Sequence, residues 1–197
     1  DRLSRGLGDV YKRQVQWLRD RMKFFKKAPE TEKIVKSLDN NNDIYLVPAF
    51  TGLGAPYWDA NARGVLSGIT RDTNPKEIVR ATIEAVAYQT FDLFEAMKHD
   101  GLRPKIVKVD GGMVMNNWFS QFLSDIVNVK VLRPKVQETT ALGAAFMAGL
   151  QIGVYKSLKD ISKNWRLDKK FLPKMKNKSR SLLIKGWEKA VKRALIN

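Results

Sequence analysis

An α/β fold is what this sequence predicts, and three observations carry the prediction. Short apolar runs of strand length alternate with segments of helical period, and glycine-rich turns sit at the joints. The chain has 197 residues, 44% of them apolar, enough for one substantial core. Residues 43–50 (DIYLVPAF) read as a short buried strand stopped by Pro48. The segment 51–64 (TGLGAPYWDANARG) has the glycines, proline and paired aromatics of a packed functional loop, and residues 64–69 return as a second strand. Asn74, Pro75 and Glu77 then supply a cap, a first-turn proline and a third-position acid, so a helix is predicted from here to about Lys98. Its apolar positions Val79, Ile83, Val86, Ala87, Phe94 and Met97 share one face, which leaves Lys76, Glu77, Arg80 and Glu84 on the other.

Residues 104–110 (PKIVKVD) predict another strand, closed by Gly111 and Gly112. Trp118, Phe119, Phe122, Leu123, Ile126 and Val127 recur at three- and four-residue intervals, the spacing of an amphipathic helix starting near Asn116. Residues 129–132 form a third strand candidate. Residues 139–150 (TTALGAAFMAGL) predict a helix whose small side chains suit close packing on a sheet. Leu182, Leu183, Trp187, Val191 and Leu195 form the apolar stripe of a basic terminal helix over 181–196. Residues 1–14 (DRLSRGLGDVYKRQ) share no period with the rest of the chain and read as an unrelated leader or a cloning or assembly artefact.

Charge and composition exclude several function classes. There is no cysteine, so neither a disulfide framework nor a thiolate metal site is available, and the one histidine, His99, reads as a solvated surface residue at a helix end. No metal-ligating set emerges. No apolar run is long enough to span a membrane and no signal peptide precedes the fold, so the expected location is the cytoplasm. The net charge of +16 is carried by the ends: residues 1–40 hold 11 basic residues against 6 acids, 155–197 hold 14 against 3, and 41–154 are balanced at 11 against 11. The charge therefore lies away from the glycine motifs and reads as a solvated face. A basic module that docks on nucleic acid or anionic lipid is the distant alternative.

Asp110-Gly111-Gly112 at a strand end is the most informative local feature. Two readings fit it. It is a tight strand-to-helix turn, or a place where bare backbone N–H groups and a helix start receive a phosphate or nucleotide. Neither a Walker A loop nor the Rossmann glycine fingerprint is present. Asp110 caps the turn or orients a metal-bound water. Asp59 and Arg63, four apart in the long loop, read as a loop salt bridge rather than a catalytic pair.

Several blocks in order resemble glycerol kinases of the carbohydrate kinase family. They are VQWLRD at 15–20, VPAFTGLGAPYWD at 47–59, ARGVLSGITR at 62–71, VDGGMVMNN at 109–117, ETTALGAAFMAGL at 138–150 and GWEKAVKRA at 186–194. Residues 64–84 also resemble a signature that this family shares with xylulokinases and gluconate kinases. The resemblance runs from Val15 to the end. It implies the second domain of a two-domain, actin-like and ribonuclease-H-like ATPase, with residues 15–197 forming the ATP-binding half. It implies ATP and Mg²⁺ as cofactors and phosphorylation of glycerol to glycerol 3-phosphate, with a related sugar or polyol kinase such as xylulokinase as the alternative. Gln16 and Ala28 would lie against the adenosine, Gly112 would present its backbone to the phosphates, Asn116 would reach the adenine, and residues 140–144 would pack beside the nucleotide. The catalytic Asp and the polyol site of the family belong to a first domain this sequence does not contain, so the fragment alone is expected to be inactive. The full-length enzyme is expected to be a homo-oligomer that binds neither nucleic acid nor membrane.

Overall fold

Two small sheets take up the strand segments. This computed structural model describes residues 7–136 and 138–195, the side chains of 7–12 excepted; the first six residues of the expected leader and the end of the terminal helix at 196 lie outside the described residues. Strands β1 (Tyr45–Val47) and β2 (Val65–Ser67) pair antiparallel, with Leu46 opposite Leu66, and the long loop connects them. Strands β3 (Ile106–Lys108), β4 (Lys130–Pro134) and β5 (Leu167–Phe171) form the second sheet in that order. Within it β3 and β4 run parallel, and β4 and β5 antiparallel. The parallel pair needs a crossover, and the helix predicted by the Trp118–Val127 periodicity supplies it.

Helix α1 (Leu7–Asp20) runs without a break across the expected boundary after residue 14. Gln14 is buried and donates to Gln89 at 3.2 Å. A short helix, α2 (Glu30–Lys36), follows. Helix α3 (Pro75–His99) begins on the foreseen capping box: Asn74 Oδ1 accepts from Lys76 N at 2.9 Å, and Glu77 Oε2 accepts from Asn74 N at 2.8 Å. Helix α4 (Asn117–Val127) packs along α3, and α7 (Asn177–Ala194) packs on β1 and β2. The approach of α7 requires Gly186, because a Cβ there would lie 2.2 Å from the Tyr45 hydroxyl. Between these elements sit α5 (Thr139–Gln151) and the short α6 (Leu158–Ser162).

Tyr88 and Trp187 are buried at the centre of the core, stacked at 5.3 Å, with Tyr45 and Phe122 against Tyr88. Trp187 Nε1 donates to Asp92 Oδ2 at 2.7 Å, which satisfies the indole inside the core. Burial pushes the Asp92 carboxyl up to about 6, although the Trp187 N–H and the nearby Tyr57 hydroxyl both favour its ionised form. Burial likewise pushes the Tyr57 hydroxyl well up.

Three expectations need correction. The second side of α3 is not a polar face: Glu77, Arg80 and Glu84 are buried. Residues 38–42 and the indole of Trp118 cover that side. Arg80 pairs with Glu84 at 2.8 Å, donates to the Leu38 carbonyl and stacks 5.1 Å from the Trp118 ring, while Tyr88 donates to Glu84 at 3.0 Å. Burial dominates the raised Glu84 carboxyl. Second, α5 does not bury its small residues on a sheet, since only Gly149 within it is buried. Third, Leu182 of the predicted α7 stripe is exposed, and Ile184, Ala190 and Ala194 join Trp187 and Val191 inside instead.

Candidate functional site

The glycine turn leaves β3 directly. Gly111 adopts φ 84°, a backbone that a side chain would strain, and Gly112 opens a 3₁₀ turn, Gly112–Met115, that leads into Asn116. A Cβ placed on either glycine meets no atom within 4 Å, so the turn borders open space. Asn116 caps α4: its Oδ1 accepts from Phe119 N at 2.9 Å, and its Nδ2 lies 3.5 Å from Thr31 Oγ1. The Thr31 hydroxyl donates to the Ala28 carbonyl at 2.7 Å. Ala28 and Asn116, 88 positions apart, are therefore linked through one threonine.

Arg133 holds the turn from behind. It is buried on β4, and its guanidinium donates to the Val114 carbonyl at 2.7 Å and the Met115 carbonyl at 3.3 Å while pairing with Asp168 on β5 at 2.7 Å. The Ser120 hydroxyl donates to the same Val114 carbonyl at 2.9 Å. The carbonyl side of the turn is thus tied to the sheet. In front, the Thr139 hydroxyl at the start of α5 donates to Asp110 Oδ2.

The structure brings Ala28, Gly112 and Asn116 to one region. Gln16 is outside this hydrogen-bonded network, half-buried on α1 beside Trp17, whose ring packs on Phe50 at 5.1 Å. Sequence reasoning missed Thr31 and Arg133. A charged residue continuing the apolar run of β4 was a signal for Arg133; Thr31 lies in a seven-residue helix too short to show a period. The cavity of about 480 Å³ lined by Arg80, Trp118, Gln121, Asp125, Met175 and Leu183 shares no residue with the glycine turn. Asp59 does not pair with Arg63: it accepts from the Asn61 and Ala62 amides at 2.8 and 3.0 Å, and Arg63 donates to backbone carbonyls. Among the described residues no group of three or more His, Asp or Glu side chains is placed to hold a metal ion.

A backbone-lined turn at a strand end, opening on a helix whose cap is a neutral amide, suits an anion such as a nucleotide phosphate. Residues 7–152 match the model of the C-terminal domain of the FGGY family of carbohydrate kinases. The chain belongs to that family. This FGGY chain is 54% identical over 179 residues to glycerol kinase 1 of Pseudomonas aeruginosa, covering 91% of its own length and 36% of that protein. It is 51% identical over 182 residues to a glycerol kinase of Clostridium botulinum, with 92% and 36% covered. It therefore spans little more than a third of these relatives. Among solved structures it resembles Plasmodium falciparum glycerol kinase with ADP, with a TM-score of 0.83 and 37% identity over 95% of this chain and 37% of that one. It also resembles a ligand-bound xylulose kinase of Lactobacillus acidophilus, with a TM-score of 0.72 and 25% identity over 94% and 37%. The mixed α/β, actin-like and ribonuclease-H-like class expected from the motifs is that of these sugar kinases.

Proposed function

We propose that this chain is the nucleotide-binding half of an ATP-dependent glycerol kinase, and that residues 15–197 form that half. The identity of about half its residues with glycerol kinases along nine-tenths of the chain supports this reading above all. The xylulokinase alternative has weaker support, since that neighbour shares 25% identity. The cytoplasmic location and homo-oligomeric state are part of the same proposal. Among the described residues no helix is long and apolar enough to cross a membrane.

In this reading Gly112 presents its N–H to the phosphates, with Gly111 supplying the positive φ that aims the turn. Arg133 keeps the turn rigid by fixing two of its carbonyls. Asn116 commits its Oδ1 to capping α4, but its Nδ2 contact to Thr31, at 3.5 Å, is long enough to be exchanged for an adenine acceptor. Ala28 and Gln16 border the adenosine. Bound ATP supplies the phosphoryl group, and Mg²⁺ the neutralising charge that such transfers need. The residues fit the nucleotide, and none in this chain is assigned to the metal. The glycerol hydroxyl that accepts the phosphoryl group, and the base that activates it, would be held by the part of the protein outside this chain, because transfer needs nucleophile, metal and γ-phosphate held together.

The test is ATP binding and glycerol phosphorylation by the full-length protein. Gly112→Val and Asn116→Ala are each expected to weaken ATP binding about tenfold, the worth of one or two hydrogen bonds. Turnover of xylulose in place of glycerol would move the assignment to the alternative, and unchanged ATP affinity in both variants would defeat the nucleotide site.

A further inference from the structure

Thr31 is 4% exposed, and the half-buried Asn116 stands beside it. Three contacts fix how their polar atoms face. The Thr31 hydroxyl donates to the Ala28 carbonyl at 2.7 Å, which uses its one hydrogen and leaves only lone pairs on Oγ1 for any other neighbour. Asn116 Oδ1 accepts from Phe119 N at 2.9 Å, so the carbonyl end of the amide is taken up in capping α4. The nitrogen end, Nδ2, is what lies 3.5 Å from Thr31 Oγ1. Turning the amide over would remove the cap acceptor and set oxygen against oxygen. The two segments also meet at the next residue. Burial alone would raise the Glu32 carboxyl, yet Lys36 and the backbone and side-chain amides of Asn117 hold it below its usual value, and α2 packs against α4.

A hydroxyl buried in this way does not meet a ligand directly, so what Thr31 does for the nucleotide it does through Asn116. We infer that Thr31 is a positioning residue for recognition of the base: it keeps the Asn116 amide in one orientation, so that the site offers the base a hydrogen-bond donor at Nδ2 rather than an acceptor. This rests on the nucleotide reading above. Nδ2 carries two hydrogens, and a base acceptor can take the free one or the one facing Thr31; the ring nitrogens of adenine are acceptors of that kind. The Ala28 carbonyl also accepts from Thr31 N at 3.1 Å, so the hydroxyl can be removed without leaving that carbonyl unpaired.

The experiment uses the full-length enzyme and measures kcat and the KM values for ATP and glycerol separately. Thr31→Val, which keeps the shape and removes the hydroxyl, is expected to raise KM for ATP about three- to tenfold, the worth of one hydrogen bond, with kcat and KM for glycerol within about twofold of the parent. Thr31→Ser should match the parent; if it is as impaired as Thr31→Val, the methyl matters and not the hydroxyl, and the inference is overturned. Asn116→Ser keeps an acceptor to cap α4 but has no amide to orient, and in that background Thr31→Val should add nothing. Effects that multiply in the double variant would overturn the inference. So would a fall in kcat, or a rise in KM for glycerol equal to that for ATP, since either marks a general loosening of the fold. Gly112→Val runs alongside. If it raises KM for ATP while Thr31→Val does not, the inference alone fails. If Gly112→Val has no effect, the nucleotide reading fails. Should Thr31→Val not fold, Thr31→Ala carries the same expectation and the same ways to fail.

Discussion

Helices α3 and α5 are both unmistakable in the sequence, yet they sit in the fold in opposite ways. From Glu77 to Tyr88, α3 is buried at almost every position, and even its charged residues find partners inside. Along α5 only Gly149 is buried, Leu142, Phe146 and Leu150 are half-buried, and Met147 is exposed. The two helices therefore teach different things about their apolar residues. Those of α3 are satisfied within this chain, with α2, α4 and β1 as partners. Those of α5 are at most half-buried among the described residues, so burial contributes less to holding it than it does for α3.

That contrast predicts a descending series of effects. Trp187→Ala, which empties the centre of the core and strips Asp92 of its donor, should cost about 3–5 kcal/mol in chemical denaturation, enough to abolish cooperative unfolding in a marginal protein. Arg80→Met should cost about 3 kcal/mol, because Glu84 would remain buried without its cation. A loss below about 1 kcal/mol there would mean that the second side of α3 is not covered as described.

Asp92 gives a smaller effect with a definite sign. Burial raises its carboxyl from 3.8 to about 6, so the folded state binds the proton more tightly than the unfolded chain does. Its stabilising contribution is full below about pH 4 and is lost as the pH rises through about 6. Between about pH 5 and 7.5 it should amount to roughly 1 kcal/mol in favour of the lower pH. Asp92→Asn should flatten that slope, and a slope unchanged by the substitution would remove Asp92 as its source. At the bottom of the series, Met147→Ser on α5 should shift stability by less than about 0.5 kcal/mol. A loss of 2 kcal/mol or more would show that α5 is packed after all.

The candidate site divides in the same way. Gly111, Gly112 and Asn116 were legible because a strand end, two glycines and a cap lie within seven consecutive residues. Thr31 and Arg133 were not, because each matters only through a contact with a distant segment: Thr31 with Asn116, and Arg133 with the carbonyls of the turn and with Asp168. Strand β5 was missed for a related reason. Its LDKKF run has almost no apolar alternation, and its residues find their partners only once β4 is beside them, Asp168 beneath Arg133 and Phe171 beside Val131.

By itself, the sequence determined the α/β class, the family, the capping box that starts α3, the glycine turn and the helices that flank it. All of these rest on interactions within about four residues or on contiguous motifs. Tertiary structure alone decided that Arg80 and Glu84 go inside, that Leu182 stays out and that Arg133 braces the turn. Burial depends on which remote segment covers a face, and no local period carries that information.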